Sequence, residues 1–222
     1  MSLVELIAQA DEFALAASGL ACLDRCVPLL GGDDEILRPL WTSLADGAVG
    51  EEGEEGGEWE EWGECLEQAR AKLPALFEEP GAEPGAEPGD ESGMGSGMGS
   101  GKESGEDRAV QLARRMLATA PAVPAGTPVR VWADACSVAS LRIHRLLEVM
   151  APADDADAVD SRREGRTDGM SPLVAAELRR QITVLELLAG TGPGGLRQVL
   201  AVSTEGRRVL RAVVSRRARG RG

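Results

Sequence analysis

Tyrosine and asparagine are absent from these 222 residues, and lysine occurs twice, as Lys72 and Lys102, against 22 arginines. Aromatics make up only 3%: Phe13, Phe77, Trp41, Trp59, Trp62 and Trp132. Residues with AT-rich codons are scarce while Ala, Gly, Arg and Pro abound, as expected of a GC-rich bacterial genome. An arginine here therefore reflects mutational bias as readily as chemistry. With one histidine, His144, no short-range His pair can ligate a metal. The four cysteines (Cys22, Cys26, Cys65, Cys136) are too few and scattered for a disulfide scaffold, so a reducing cytoplasm is the expected setting. No apolar run is read as reaching the ~20 residues of a membrane span. The opening MSLVELIAQADEF has no basic n-region and carries Glu5, Asp11 and Glu12, so no secretory leader is expected.

What is abundant is acid. The net charge is -13. Such a chain is not expected to bind DNA or anionic membrane through its whole surface. The charge is also uneven. Residues 1–107 hold 26 acids and 5 bases, net -21, whereas residues 108–222 hold 11 acids and 19 bases, net +8. The two halves should attract each other or attract different partners.

Composition divides the chain into an N-terminal acidic helical region, 1–78, a linker, 79–105, and a C-terminal helical domain with a basic tail, 106–219. The linker repeats E-P-G-A and G-M-G-S and has too little apolar content to repay its ordering entropy, so it is expected to be disordered. As a flexible coil its 27 residues reach roughly 30 Å, which lets the halves pack together or stay apart.

Elsewhere the apolar period is helical. Ser2 and Glu5 form a capping box, and Leu3, Leu6, Ala10, Phe13 and Ala17 make one stripe that Gly19 is placed to close. Further segments are expected at about 20–29, 34–46 (with Pro39 marking a late start or a kink), 58–73 and 106–119. Residues 129–132, VRVW, read as a short strand with nothing to pair with. Trp132, Cys136, Ala139, Ile143, Leu146 and Met150 form the strongest helical stripe. Residues 151–170 read as a loop. Ser171-Pro172 opens a helix that Gly190 closes, and two short helices follow at about 195–202 and 204–217. The class is all-α, bundle-like, with about eight helices.

The chemical constellations are sparse. Cys22 and Cys26 share a helix face, but no C-x-x-C or Cys/His pair completes a ligand set, and buried thiols are the simpler reading. His144 sits at the edge of its stripe among Arg142, Arg145 and Glu148 and reads as a boundary histidine. The glycine runs, including T-G-P-G-G-L-R at 191–197, lack the lysine of a phosphate loop, although Arg197 stands where a helix N-terminus meets an anion. Asp154, Asp155, Asp157 and Asp160 resemble the aspartate-rich helices of prenyl-diphosphate enzymes in spacing. They follow Pro152 in an aromatic-poor chain, however, and read as a solvated loop. No cofactor, metal or catalytic residue is assigned.

Two segments point to binding. Nine glutamates between 51 and 67 surround Trp59 and Trp62, where rings supply buried area and acids supply steering. The segment from Leu196 to Arg219 resembles a helix–turn–helix pair whose second helix carries Arg207, Arg208, Arg211, Arg216 and Arg217. No Asn or Gln follows Gln198 to read bases, and a basic helix that complements the acidic half explains the same arginines. The expectation is a non-enzymatic cytoplasmic regulator or adaptor that docks on another protein through Trp59, Trp62 and these arginines. The alternatives are a DNA-binding regulator using the C-terminal segment, and an enzyme with an unfamiliar helical site.

Overall fold

The computed structural model describes residues 1–33, 35–47, 59–73, 104–148 and 156–220, which form helices and no strand. The elements are α1 (Leu3–Gln9), α2 (Glu12–Cys26), α3 (Arg38–Gly47), α4 (Glu60–Lys72), α5 (Gly105–Ala118), α6 (Gly126–Leu146), α7 (Ala156–Arg163), α8 (Pro172–Thr191) and α9 (Leu196–Arg219). Short 3-10 turns follow α2, at Val27–Leu30, and α8, at Gly192–Gly195. The all-α class holds. Most of the proposed linker, 79–103, lies outside the described residues, as do 51–58 of the glutamate-rich stretch.

Helix α2 is the axis of the fold. Its sequence, EFALAASGLACLDRC, is apolar around almost the whole circumference, so it must be enclosed on all sides. Every residue from Ala14 to Cys26 is buried. α6, α8 and α9 pack on it, so helices on both sides of the linker share one core. Glu12–Leu30 is in fact long and apolar enough to cross a membrane, contrary to the sequence reading. Because 89% of that window is buried among the other helices, its hydrophobicity is already used within the protein.

The first stripe is interrupted where the sequence suggested continuity. The Ser2–Glu5 capping box forms, with Ser2 Oγ accepting from the Glu5 amide at 3.3 Å and Glu5 accepting from the Ser2 amide at 2.8 Å. The helix then ends at Gln9, because Asp11 caps a new one by accepting from the Ala14 amide at 2.7 Å. Gly19 does not close a helix but lies inside α2. A Cβ there would come within 2.6 Å of the Trp132 ring, so glycine is what lets α6 approach.

Other boundaries follow local chemistry. Pro39 marks a late start, at Arg38. The expected strand at 129–132 is the first part of α6, because Val129, Trp132 and Ala133 all lie on its buried face. Within the expected loop 151–170, residues 156–163 form α7, which buries Val159 and Arg163 and pairs Arg163 with Asp134 of α6. Ser171 caps α8, with Pro172 in its first position, and the helix runs through Gly190 to Gly192, whose φ is 55°. The two short C-terminal helices are one, the 24-residue α9.

Arginines reach across the bundle to close helix ends. The last carbonyls of a helix have no internal partner and carry partial negative charge. Arg130 of α6 donates to the carbonyls of Ile7, Ala8 and Ala10 at the end of α1. Arg70 of α4 does the same for Leu117 and Ala118 at the end of α5 and Ala120 just beyond it. Arg217 of α9 donates to the Leu147 carbonyl beyond α6 at 2.7 Å.

Candidate functional site

The residues singled out from the sequence do not form one surface. Trp62 is fully buried. Its Nε1 donates to the Pro121 carbonyl at 2.9 Å, and its ring meets Trp132 edge to face, with centroids 6.4 Å apart. Half of α4's aromatic pair is thus a core anchor. Trp59 is half-buried against the same core. Arg207 is 7% exposed and pairs with Asp24 of α2 at 2.5 Å, so its acidic partner does come from the N-terminal half, but not from 51–67. Arg217 is spent on the Leu147 carbonyl. Arg208, Arg211 and Arg216 remain exposed on α9. With no break at Ser203 or Thr204, α9 lacks the turn that a helix–turn–helix needs.

A polar cluster that the sequence reading missed lies at the centre of the bundle. Arg25 of α2 and Glu177 of α8 are both 0% exposed, and the guanidinium grips the carboxylate through Nε at 2.9 Å and Nη2 at 2.6 Å. Ser140 Oγ and Gln181 Nε2 also donate to Glu177, at 2.7 and 3.0 Å. Gln181 in turn accepts from Ser137 Oγ at 2.7 Å and donates to the Ser137 carbonyl at 3.3 Å. Burial by itself penalises the Glu177 charge, but the Arg25 charge, His144 and the hydrogen bonds from Arg25 and Gln181 together outweigh it and hold the carboxyl at about 2. Burial likewise penalises Arg25, and Glu177 keeps it charged.

His144 belongs to this cluster and is not a boundary residue. It is completely buried, and Nδ1 lies 2.8 Å from the Ser140 carbonyl, which only an Nδ1–H can satisfy. Nε2 therefore stands bare, 3.6 Å from Glu177 Oε2. Burial lowers the pKa, against the pull of Glu177, and favours the neutral ring. Cys22, Cys26 and Cys136 are buried nearby as free thiols. Arg25 Nη2 donates to Cys22 Sγ at 3.3 Å, yet burial still pushes the Cys22 thiol up to about 12, and it raises Cys26 and Cys136 as well. Thiols held protonated in this way are poor nucleophiles and poor metal ligands.

The signal for this cluster was a polar residue in an apolar stripe. Glu177 and Gln181 occupy the same face of α8 as Val174, Leu178, Leu185 and Leu188, and Ser137, Ser140 and His144 lie on one face of α6.

A cleft of about 710 Å³ opens between α3, the 192–195 turn and α9. Trp41, Leu196 and Leu200 form apolar walls, and Arg38, Arg197 and the Asp24–Arg207 pair supply charge. No family model, curated protein or solved structure matches this chain.

Proposed function

We propose that this chain is a non-enzymatic regulatory or adaptor protein of the cytoplasm, which works by docking an acidic protein segment on the outer face of α9. The observation that carries this reading is the two-sidedness of one unbroken helix. Leu196, Val199, Ser203, Gly206, Arg207 and Leu210 face the core, while Arg197, Arg208, Arg211, Arg216 and Arg219 are exposed. From Arg197 to Arg219 these arginines span about 33 Å, with four of them in the last 12 residues of the helix. An exposed guanidinium row offers bidentate carboxylate recognition and long-range steering. A non-catalytic reading is supported by the centre of the bundle, where His144 and Glu177 converge without exposure to a substrate.

The arginine row also fits the phosphate backbone of DNA, and the test separates the two. Wild-type protein and an R208Q/R216Q/R219Q variant are titrated against a fluorescent Glu-rich peptide and against duplex DNA, at low and moderate salt. Peptide binding that the variant loses, with DNA binding weak and quickly salted out, supports docking. Tight duplex binding, falling with log salt by about 0.9 per phosphate contacted, replaces it with the DNA reading. Deleting α9 is a poor test, because Arg207 and Leu210 belong to the core.

A further inference from the structure

We propose that the cleft between α3 and α9 is a binding site for a small monocarboxylate with an apolar body. The inference does not depend on the docking reading. Three observations converge on it.

The volume, about 710 Å³, falls within the roughly 300–1,000 Å³ of small-molecule sites. The walls are apolar where a ligand body would lie: the Trp41 ring, Leu196 and Leu200. The charged groups favour an anion, with three arginines against one aspartate, and that aspartate, Asp24, is already paired with Arg207.

The two outer arginines can take up a carboxylate at little cost. Arg38 holds Glu35 at 2.6 Å, but both side chains are more than 60% exposed, and such surface pairs contribute about 0–1 kcal/mol. Arg197, at the start of α9, is exposed. A guanidinium fork matches a carboxylate in shape as well as charge. Arg207 is different. It sits at the floor, committed to Asp24, and fixes the distance between α2 and α9. The head group therefore belongs at the Arg38–Arg197 rim, and the apolar body between Trp41 and Leu200.

The test uses the full chain and 2-naphthoate, with 2-naphthamide as its uncharged counterpart, followed by calorimetry. We expect one site per chain, and 2-naphthamide weaker by on the order of tenfold, because the lost contact is a charge-assisted one. Inorganic phosphate at equal concentration should not displace 2-naphthoate, since it lacks the apolar body. R197Q is expected to weaken binding by a similar factor. T204W, which fills the cleft from α9, should weaken binding most, whereas R208Q, on the outer face, should leave it unchanged. Equal affinity for acid and amide, displacement by phosphate, the absence of a single site, or wild-type affinity in R197Q would each overturn the proposal. If T204W does not fold, R197Q still decides, because its side chain is exposed and its loss leaves the core intact.

Discussion

Consecutive residues of α2 anchor two ion pairs in different surroundings. Arg25 turns to Glu177 of α8 and is sealed at the centre of the bundle. Asp24 turns to Arg207 of α9, and both line the cleft. The chemistry is the same and the anchors are one peptide bond apart, yet the consequences differ. A sealed pair offsets a large desolvation cost with close geometry and extra hydrogen bonds, here from Ser140 and Gln181. If either partner is removed, the other is left as an unpaired charge that water cannot reach. The Asp24–Arg207 pair, though buried, adjoins the cleft, so a group left unpaired there lies close to water. Charge buried on all sides serves to hold three helices in one arrangement, and charge at the cleft floor fixes α2 against α9 while the arginines at the rim stay exposed.

The largest expected effect lies at the sealed pair. Glu177→Gln leaves Arg25 charged and uncompensated and is expected to cost about 3–5 kcal/mol in urea unfolding. The double variant R25M/E177L removes both charges and should recover roughly half of that loss or more. If the double variant is no more stable than E177Q, hydrogen bonding and not charge holds the cluster together.

The next effect sharpens the contrast. Asp24→Asn at the cleft pair is expected to cost less than E177Q, about 1–3 kcal/mol, because the cleft gives the remaining arginine an outlet. Equal losses for the two variants would erase the distinction. Gly206→Ala probes the wall between the two pairs. A Cβ there would lie 2.3 Å from Arg25 Cδ, and Arg25 is held by Glu177. The expected loss is about 1–3 kcal/mol, with most of it removed in an R25M/E177L background, where the obstructing side chain is unbranched and unpaired.

Acid should weaken the sealed region in two stages. The folded pKa of His144 lies below its ordinary 6.5, so the unfolded chain takes up that proton more readily, and stability falls as pH drops through that value. The Glu177 carboxyl, held at about 2 against an ordinary 4.5, contributes stability that is present above 4.5 and lost as pH falls toward 2. Melting temperatures measured from pH 7 downward should therefore decline, and His144→Gln should flatten the first stage while leaving the second. An unchanged first stage in H144Q would assign it to another group. The smallest effect belongs to the outer face. Arg208→Gln is expected to change stability by less than about 0.5 kcal/mol, because the residue is exposed and lies away from the core.

Much of the helix pattern was legible in sequence for local reasons. The Ser2–Glu5 box and the Ser171-Pro172 start satisfy their helix ends within a few residues, and the apolar spacings of α4, α5 and α8 reflect a single buried face. The misreadings came where distant residues acted. Gly19 has the composition of a helix stop, but Trp132, more than a hundred positions away, gives it another role. VRVW has the composition of a strand, but α5 and the core offer it only a helical place. The segment after Gly195 looked broken at Ser203-Thr204, yet Ser203 and Gly206 are small because α9 runs close against α2 and Arg25.

The same division applies to the candidate sites. The sequence by itself determined an all-α chain with an acidic first half, a basic C-terminal helix and free thiols, because these follow from composition and short-range periodicity. It marked the C-terminal arginines without showing which of them turn inward. Only the tertiary structure decided that Arg207 is buried and Arg217 half-buried while Arg208, Arg211 and Arg216 are exposed, that Trp62 is a core anchor, and that Arg25, His144 and Glu177 meet. The physical reason is that burial and pairing depend on long-range helix packing. Arg25 and Glu177 are 152 positions apart, and Asp24 and Arg207 are 183 apart. No local spacing rule reaches that far, since the register of α2 against α8 and α9 is set by the fit of small residues such as Gly206 against side chains from the other half of the chain.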